Sequence, residues 1–373
     1  MISRVLIVGG GIAGTTTAIA LAQDGIACTI AELQSEWQAT GVGIGLQSPP
    51  LRATKALGLF DRIVAIARQH PEIVVADAGG RQLGAMPQVN VNDPEDPPFV
   101  NLSRMALHSI LVRAVRECGA TVRLGTTVNS LDEDGDRVRA TMSDGSVEDY
   151  GLVIGADGLH SRVRDLALPE APQPAYAGQV IWRMGGRCPG GLDRYTIMVA
   201  GPTRIGLVPL PDDELYLWML DSTLPPERPP RDQLLPLFQQ RMGAYGGFAP
   251  AVAAQAVSSD QLDFRALHAV LVPPPWHTDR VVLIGDAVHT TTPHLAYGAG
   301  LAIEDAVVLG QLAGSGVGAG DIGRRLTERR FERCRMVVEN SLQLSRWEQQ
   351  GGPPNPEAPK LSAATFAKLA ERF

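Results

Sequence analysis

The N-terminal segment constrains the fold of this chain more than any other stretch. Residues 5–8 are an unbroken apolar run that is typical of a buried parallel strand. Gly9, Gly11 and Gly14 follow with the spacing G-x-G-x-x-G, and apolar residues then recur at helical spacing up to Ala22. The first glycine permits a tight turn, the second lets the backbone approach a pyrophosphate, and the third lets the helix lie close to the sheet. The segment therefore predicts a strand that turns into a helix whose N-terminus faces phosphate groups.

A second strand is predicted at residues 27–32, and it ends in Glu32. An acid at this distance from the glycines is typical of a carboxylate that binds a ribose hydroxyl. The glycine motif alone is a weak signal, because a glycine-rich turn can be purely structural. The two strands, the helix and Glu32 together favour a dinucleotide site.

The bulk properties limit the kinds of partner. The 373 residues are enough for two domains, and the net charge of −7 argues against a nucleic-acid-binding surface, which needs a concentrated basic face. No apolar run reaches the length of a membrane span, and the N-terminal apolar run lacks the flanks of a signal peptide. We expect a cytoplasmic protein, a monomer or a homodimer, whose partners are small molecules and not nucleic acids or membranes.

The cysteines give no sign of a metal site. There are four, and none forms a C-x-x-C pair with another: Cys28, Cys118, Cys188 and Cys334. This scatter favours reduced thiols over a disulfide framework or a zinc site. No metal is predicted.

Local patterns predict how the chain runs after the first βαβ unit. Residues 39–50 are glycine-rich and end in two prolines, so we expect a loop that closely approaches something. Residues 122–124 and 137–142 are predicted as strands of a small β-meander, and residues 150–156 return to the parallel sheet. From 176 to 272 the pattern changes to alternating strands, which predicts a separate and largely antiparallel domain.

The C-terminal part is predicted to be helical. A long helix is expected from about Ala299 to Ala313, and a charged helix from Leu326 to Gln349. A proline-rich stretch at residues 352–359 then separates the charged helix from a short terminal helix.

Arg104 lies at the start of another predicted helix. Ser103 is expected to cap this helix, which runs to Cys118 and Gly119. A cation in the first turn opposes the helix dipole, so Arg104 is interpreted as the partner of a nearby anion. The alternative is a solvated surface arginine.

Three segments, in this order along the chain, resemble the three fingerprints of the group A flavoprotein monooxygenases, which are aromatic hydroxylases of the para-hydroxybenzoate hydroxylase and salicylate hydroxylase type. The segments are the Gly9–Gly14 motif, residues 155–164 with the sequence GADGLHSRVR, and residues 283–289 with the sequence LIGDAVH. Three matches in the family's order are more specific than any one of them.

The resemblance implies noncovalent FAD, held by the first and third segments, and a middle segment that serves both FAD and the transient docking of NAD(P)H. Arg162 and Arg164 are candidates to meet a phosphate. Residues 293–300 resemble the family's loop beside the isoalloxazine, although Tyr297 and Ala299 depart from its pattern. The residues expected to contact FAD are Gly9, Gly11, Ile12, Ala13, Gly14, Glu32, Gly45, Arg104, Val128, Asp157, Arg164, Asp286, Gly298, Ala299, Gly300 and Leu301.

Two of these assignments have structural alternatives. Asp286 ends a predicted strand, where a carboxylate can accept hydrogen bonds from ribityl hydroxyls; the alternative is a helix N-cap. Asp157 is expected to anchor its own loop through backbone N–H groups, with Arg164 as a compensating charge, and both residues can be purely structural.

The resemblance also implies the fold and the domains. The predicted class is α/β, with a Rossmann-like FAD-binding domain built on a parallel sheet, a mostly antiparallel substrate domain, and C-terminal helices. The predicted boundaries are residues 1–71, 99–173 and 274–323 for the FAD-binding domain, 72–98 and 174–273 for the substrate domain, and 324–373 for the C-terminal helices.

In that family a flavin C4a-hydroperoxide, formed with NAD(P)H and O₂, transfers oxygen to a small electron-rich aromatic or N-heteroaromatic ring. The protein excludes water and helps to remove a phenol proton. Tyr216 and Trp218 alternate with Leu215, Leu217 and Met219 on one strand, and either face can line the substrate.

Other candidate catalytic residues follow from the same resemblance. Arg183 can pair with a substrate carboxylate or form a structural ion pair. Pro293 and His294 belong to the flavin loop, and His294 is either a base or a packing residue.

Alternatives are weaker or remain open. A plain NAD-dependent dehydrogenase leaves the Asp157 and Asp286 segments unexplained. A flavin-dependent halogenase is disfavoured because its Trp-x-Trp-x-Ile-Pro motif is absent from the sequence. Another FAD-dependent oxidoreductase, or a flavin-binding protein without activity, stays possible at this point.

Overall fold

The strands define the architecture. The computed structural model describes residues 4–38, 41–351 and 355–373. The strands within these residues are β1 (Val5–Val8), β2 (Cys28–Glu32), β3 (Gly43–Gln47), β4 (Arg68–Gln69), β5 (Glu72–Asp77), β6 (Gln82–Pro87), β7 (Phe99–Ser103), β8 (Thr121–Leu124), β9 (Val128–Asp134), β10 (Arg137–Met142), β11 (Val147–Tyr150), β12 (Leu152–Gly155), β13 (Ala175–Arg187), β14 (Thr196–Ala200), β15 (Thr203–Pro209), β16 (Glu214–Asp221), β17 (Asp263–Ala269) and β18 (Val281–Leu283).

Helices connect and cover these strands. In the described part of the chain they are α1 (Ile12–Gln23), α2 (Ser48–Ala56), α3 (Phe60–Val64), α4 (Arg104–Glu117), α5 (Arg162–Ala167), α6 (Arg231–Met242), α7 (Ala249–Ala253), α8 (Asp286–His289), α9 (Gly298–Gly314), α10 (Ala319–Gln349) and α11 (Glu357–Leu369), with 3-10 turns at Ser259–Gln261 and Pro293–Leu295.

A five-stranded parallel sheet forms the first layer, in the order β18-β12-β1-β2-β8. Its apolar strands are buried on both faces, as expected for a parallel sheet. Helices α1 and α9 pack together on one face; a Cβ on Gly310 would lie 2.8 Å from the Cβ of Ala20, so a larger residue would push them apart. The Rossmann-like part of the predicted fold class is confirmed.

One strand of this sheet was predicted in the wrong place. Residues 121–124 form β8 and pair with β2 in parallel, whereas the meander consists of β9, β10 and β11. The physical reason is that α4 carries the chain back across the sheet, so the next strand enters in the same direction as β2.

The second layer is a seven-stranded sheet, in the order β17-β13-β16-β15-β14-β5-β6. Its pairs are antiparallel except for β14 with β5, which run parallel. One face packs on α6 and α7 through a core that includes Trp182, Leu217 and Phe238. The predicted antiparallel part is confirmed; the domain boundaries stay a prediction.

The glycine-rich segment before α2 is not the loop that the sequence predicted. Residues 43–47 form β3, which pairs with β7, and α2 begins at Ser48 with Pro49 and Pro50 in its first turn. Proline is tolerated there because the first N–H groups of a helix have no partner within the helix. Ala39 and Thr40, at the start of the predicted loop, lie outside the described residues.

The C-terminal helices follow the prediction with shifted bounds. Helix α10 begins at Ala319, seven residues before the expected Leu326, and α11 includes Pro359 in its first turn. Residues 352–354 of the proline-rich stretch lie outside the described residues. Among the described helices, none is long and apolar enough to cross a membrane.

Candidate active site

The carboxyl ends of the parallel strands form one side of the site, which we call the floor: Gly9, Gly11, Glu32 and Asp286. Gly9 has φ +104°, and a Cβ on it would lie 2.3 Å from the carbonyl oxygen of Ala156. A Cβ on Gly14 would lie 1.9 Å from the carbonyl oxygen of Gly9, whereas a Cβ on Gly11 would meet no atom within 4 Å. The chain thus folds tightly at Gly9 and Gly14 and leaves open space beside Gly11.

The start of α1 faces that open space. Ile12 is half-buried and Ala13 is buried in the first turn, and no side chain caps the helix. The first hydrogen bond of the helix runs from the N–H of Thr15 to the carbonyl of Gly11. The amide groups before Thr15 can therefore bind an external anion, which the helix dipole also favours.

Glu32 lies directly beside this turn. Its Oε2 accepts a hydrogen bond from the N–H of Gly10 at 2.7 Å, and its Oε1 accepts one from the N–H of Gln34 at 2.8 Å. The indole of Trp37 donates to the carbonyl of Gly10 at 2.9 Å. Since each carboxylate oxygen can accept more than one hydrogen bond, Glu32 is oriented and still able to bind ribose hydroxyls.

Asp286 lies deep in a cleft that remains open. Its side chain can be reached by solvent through the cleft. The walls of the cleft nevertheless desolvate the carboxyl group, and this raises the pKa of Asp286. The Asp286 carboxylate accepts no hydrogen bond from another described residue. It is available to hydroxyl groups of a ligand.

A buried ion-pair network fixes the segment that carries Asp286. Asp305 on α9 accepts a hydrogen bond from the N–H of Gly285 at 3.0 Å and contacts His289 Nε2 at 2.6 Å. It therefore holds the chain both before and after Asp286. Arg330 Nε donates to the other oxygen of Asp305 at 2.7 Å. Although burial opposes ionisation, His289 and Arg330 lower the pKa of Asp305 to about 2.

Sequence reasoning missed this network, although a signal was available: Glu304 and Asp305 are adjacent acids in a helix that has no other charged residue. Cys334 lies beside them, with ligand atoms of Cys334, His289 and Asp305 within 4.8 Å of one another. Arg330 pairs with both acids, at 2.8 Å from Glu304 and 2.7 Å from Asp305, and Arg333 supplies a second positive charge at 2.8 Å from Glu304. The ion pairs account for these residues without a metal, and the expected absence of a metal stays a prediction.

Arg104 connects the floor to the opposite side of the site. Its stem lies against Gly41, where a Cβ would be 3.1 Å from the Arg104 Cδ. Burial and then the charge of Arg183 lower the pKa of Arg104, while Asp286 and Tyr216 act in the opposite direction. Within the described residues, its guanidinium donates no hydrogen bond. This pattern agrees with a cation that awaits an external anion.

The roof is the face of the seven-stranded sheet that carries Arg183, Arg204, Tyr216, Trp218 and Asp263. Register places Arg183 opposite both Trp218 and Asp263, so these side chains share a face. Leu215, Leu217 and Met219 belong to the core on the other face, so the face that carries Tyr216 and Trp218 is the one that meets Gly43, and its contact with a substrate stays a prediction.

Glycines bring the floor and the roof close together. A Cβ on Gly43 would lie 2.4 Å from the Tyr216 ring. Gly45 lies instead under Phe99, where a Cβ would be 2.7 Å from the ring. The lack of a side chain at Gly45 thus serves packing against β7, and the lack of one at Gly43 serves contact with the roof.

The loop before α9 lies beside the cleft. Pro293 is half-buried in a 3-10 turn, and Gly298 and Ala299 are half-buried at the start of the helix. A Cβ on Gly300 would lie 2.5 Å from Pro50, so this glycine is required by packing. The partly exposed backbone at Gly298 and Ala299 is the part of the loop that a ligand can reach.

Two residues of this loop point away from the cleft. The hydroxyl of Tyr297 donates to Glu304 at 2.7 Å, and the side chain is fully buried. Leu301 is also fully buried in the core. Its side chain therefore packs inside the protein, and a cofactor contact from Leu301 has to come from its backbone.

Asp157 organises its own loop. Its carboxylate accepts a hydrogen bond from the N–H of Val163 at 3.0 Å and one from the hydroxyl of Ser161. Ser161 in turn caps α5 by accepting from the N–H of Arg164 at 2.9 Å. These contacts show the anchoring that was expected for Asp157.

Arg164 differs from its predicted environment. Its guanidinium is 1% exposed and donates to the carbonyl of Ala287 at 2.9 Å and that of Leu159 at 3.1 Å, so it joins the second and third motifs and does not pair with Asp157. A phosphate in solvent cannot reach a guanidinium that is buried in this way. Arg162 donates to the carbonyl of Val128, which is fully buried.

His294 faces the protein and not the cleft. Its side chain is 1% exposed, Nε2 lies 3.5 Å from Glu348, and Nδ1 lies 3.0 Å from the hydroxyl of Thr292. Burial lowers the pKa of His294. The geometry favours a structural role over that of a base.

Sequence reasoning also missed the acidic partners of the roof. Arg183 donates to Asp263 at 3.1 Å, and Arg204 pairs with Glu348 at 3.2 Å. Of the predicted alternatives for Arg183, the structure shows the ion pair. No local pattern signals these pairs, because the partners lie 80 and 144 residues apart, on separate elements.

Comparison with known proteins agrees with this geometry. The family model described as "FAD binding domain" matches residues 3–341. The aurachin C monooxygenase/isomerase of Stigmatella aurantiaca is 30% identical over 92% of this chain and 90% of that protein. The 2-heptyl-3-hydroxy-4(1H)-quinolone synthase of Pseudomonas aeruginosa is 32% identical over 83% of this chain and 80% of that protein.

A solved structure shares the whole fold. Klebsiella pneumoniae HpxO, complexed with FAD and uric acid, superposes with a TM-score of 0.84 at 24% identity, over 99% of this chain and 92% of that one. The resemblance predicted from the three motifs is confirmed. The chain belongs to the FAD-binding-domain family and is a group A FAD-dependent monooxygenase of the aromatic hydroxylase type.

Proposed function

We propose that this chain hydroxylates a small electron-rich aromatic compound, preferably an N-heteroaromatic one, in the space between the floor and the roof. The observation that carries the proposal is that the two layers meet beside Arg104: its stem lies against Gly41, and a Cβ on Gly43 would lie 2.4 Å from the Tyr216 ring of the roof. One guanidinium thus marks where the two layers meet. The quinolone and the uric acid in the names of similar proteins support a fused nitrogen ring.

FAD fits the floor. Open space beside Gly11 suits the pyrophosphate, and the free amides at the start of α1 can bind it. We assign Glu32, which holds the N–H of Gly10, to the ribose and the accessible Asp286 to the ribityl chain. When bound, FAD takes a hydride from NAD(P)H and activates O₂. No cysteine or histidine forms a recognisable attachment motif, so the binding is noncovalent.

The roof orients the substrate ring. Tyr216 is 9% exposed beside Arg183, and burial raises the pKa of Tyr216, so its hydroxyl stays protonated near neutral pH. A neutral hydroxyl can donate a hydrogen bond to a ring oxygen or nitrogen. Ile181, Leu220 and Leu267 form an apolar cluster on the same face of the sheet, and we assign to it the exclusion of water from the reacting ring.

Pro293 borders the ring from the loop before α9, and His294 acts on the ring only through this loop. His294 is held by Thr292 and Glu348, so it fixes the loop against α10. We assign Pro293 to shaping the substrate space and His294 to positioning Pro293.

The remaining points are the nicotinamide co-substrate and the oligomeric state. NAD(P)H docks transiently, at a place that excludes the buried Arg164. The protein works in the cytoplasm as a monomer or homodimer.

The test uses the purified protein. It should be yellow, and acid precipitation should release all flavin into the supernatant. NAD(P)H oxidation in air should be slow and should accelerate at least several-fold when a suitable phenol or N-heteroaromatic is added, with an oxygenated product. A colourless protein that does not take up FAD would contradict the cofactor site. Oxidation that no such aromatic accelerates would contradict the hydroxylase.

A further inference from the structure

The arginines of the roof decide which charge a substrate can carry. Arg183 and Arg204 lie on the roof, and Arg265 comes two residues after Asp263 on β17. A substrate carboxylate is usually bound by an arginine whose donors are free, in a bidentate pair. The partners of these arginines therefore indicate whether the site is built for an acid.

Arg204 is already paired with Glu348. The distance from Arg204 Nη2 to Glu348 Oε2 is 3.2 Å, and the two side chains are 25% and 20% exposed. Gln179 also donates to Glu348, at 3.3 Å. Although burial opposes ionisation, Arg204 and His294 lower the pKa of Glu348 to about 2, so the acid is charged at any working pH.

Glu348 comes from the last turn of α10 and not from the sheet. The same turn holds Gln349, whose side-chain amide donates to the carbonyl of Ala177 at 2.8 Å. Ser345, one turn earlier, donates to the amide oxygen of Gln179 at 2.6 Å. These contacts fix the end of α10 against β13, so Glu348 cannot easily leave Arg204.

Arg183 is paired in a similar way. Asp263 accepts from Arg183 at 3.1 Å with one oxygen and from Arg265 at 2.9 Å with the other. Both arginines lower the pKa of Asp263, although burial opposes the shift. Arg265 is 52% exposed, so water screens its remaining charge.

We propose that Glu348 and Asp263 are specificity-determining residues that occupy the roof arginines and thereby select a substrate without a carboxylate. The inference rests on the proposed function. A carboxylate on the ring would have to displace Asp263 or Glu348 from its arginine and leave that acid unpaired in a partly buried place, because Arg104, the other buried cation near Arg183, is assigned to the FAD. A neutral phenol or N-heteroaromatic ring meets neither cost.

The test compares matched acids and amides. The probes are 4-hydroxyquinoline-2-carboxylate against its carboxamide, and 4-hydroxybenzoate against 4-hydroxybenzamide. Binding to the FAD-loaded protein is measured from the change in flavin absorbance, without turnover. The wild type should bind each amide at least about tenfold more tightly than the acid.

Glu348→Gln should free Arg204 and improve the affinity for the acids by about tenfold, while the amides change by less than about threefold. Glu339→Gln, on the exposed side of the same helix, is the control and should change neither. Asp263→Asn is a second variant, which should raise the affinity for the acids in the same direction. Flavin content and the unfolding temperature are measured for each protein.

The outcomes separate this inference from the proposed function. Wild-type protein that binds the acids as tightly as the amides would overturn the inference. So would Glu348→Gln and Asp263→Asn variants that fold and bind FAD but keep the wild-type ratio of amide affinity to acid affinity. If neither series binds or accelerates NAD(P)H oxidation, a broader panel of aromatics that also fails would contradict the proposed function instead.

Discussion

The floor and the roof face the same space but are built in opposite ways. The floor is shaped by backbone: glycines make the turn, and Gly11 and Asp286 are left accessible. The roof is shaped by side chains whose charges are already matched, as in Arg183 with Asp263. The accessible backbone of the floor suits a charged cofactor, whereas the roof, whose charged side chains are already paired, suits the neutral ring that we propose as substrate.

The strongest test of the floor compares two glycines. Gly14→Ala places a methyl group 1.9 Å from the carbonyl of Gly9 and should cost at least about 3 kcal/mol of unfolding free energy. Gly11→Ala meets no protein atom within 4 Å, so the apoprotein should keep its stability within about 1 kcal/mol. Chemical denaturation of the apoproteins measures both.

Gly11→Ala should nevertheless weaken FAD binding by at least about tenfold, because the methyl group occupies the space of the pyrophosphate. Gly84→Ala, on an exposed strand with no atom near its Cβ position, is the control for a glycine substitution. If Gly11→Ala binds FAD like the wild type, the phosphates do not pass this residue.

The two acids of the floor give the next largest effects. Glu32→Ala and Asp286→Ala each remove acceptors for sugar hydroxyls, so each should weaken FAD binding by about 1–3 kcal/mol. Titration of the apoproteins with FAD measures the loss, and the exposed Asp193→Ala serves as the control. Unchanged affinity in both variants would show that the sugar hydroxyls lie elsewhere.

The roof gives a pH-dependent effect. The folded-state pKa of Glu348, about 2, lies below its ordinary value of 4.5, so its stabilisation is present above pH 4.5 and is lost as the pH falls toward 2. Between pH 6 and pH 3, the stability advantage of the wild type over Glu348→Gln should shrink by about 2 kcal/mol. Urea unfolding at several pH values measures it.

The same comparison with Glu339→Gln should give a difference that stays within about 0.5 kcal/mol, because that ion pair is largely exposed. A pH-independent advantage over Glu348→Gln would mean that Glu348 is not held as an ion in the folded protein.

The smallest effect is expected for Tyr216→Phe. The variant loses one hydroxyl beside Arg183 and should keep FAD affinity within about twofold, while substrate binding weakens by about 1 kcal/mol. Flavin absorbance titrations with 4-hydroxyquinoline measure the change in substrate affinity. A change in FAD affinity larger than that in substrate affinity would move Tyr216 from the roof to the cofactor site.

The geometry of the floor was predictable because it depends on short-range sequence. Gly9, Gly11 and Gly14 lie within six residues, and strands with consecutive apolar residues place Glu32 and Asp286 at the same sheet edge. The roof was only partly predictable. Alternation along β16 showed that Tyr216 and Trp218 share a face but not which face, since that depends on where α6 packs.

Ion pairs escaped prediction for a different reason. Glu348 meets Arg204 only because the end of α10 crosses β13, and nothing near either residue signals this packing. Arg164 looked like a phosphate ligand because arginine is common at such sites, yet burial between two motifs gave it backbone carbonyls as partners. Charged residues have many possible partners, and tertiary packing chooses among them.

The most direct test of the central claim is the fate of molecular oxygen. The purified protein with FAD and NAD(P)H is given ¹⁸O₂ and a panel of neutral phenols and N-heteroaromatics, and the products are analysed by mass spectrometry. At least one compound should accelerate NAD(P)H oxidation and gain a single ¹⁸O atom. Consumption of NAD(P)H that yields only labelled peroxide across the whole panel would contradict this claim.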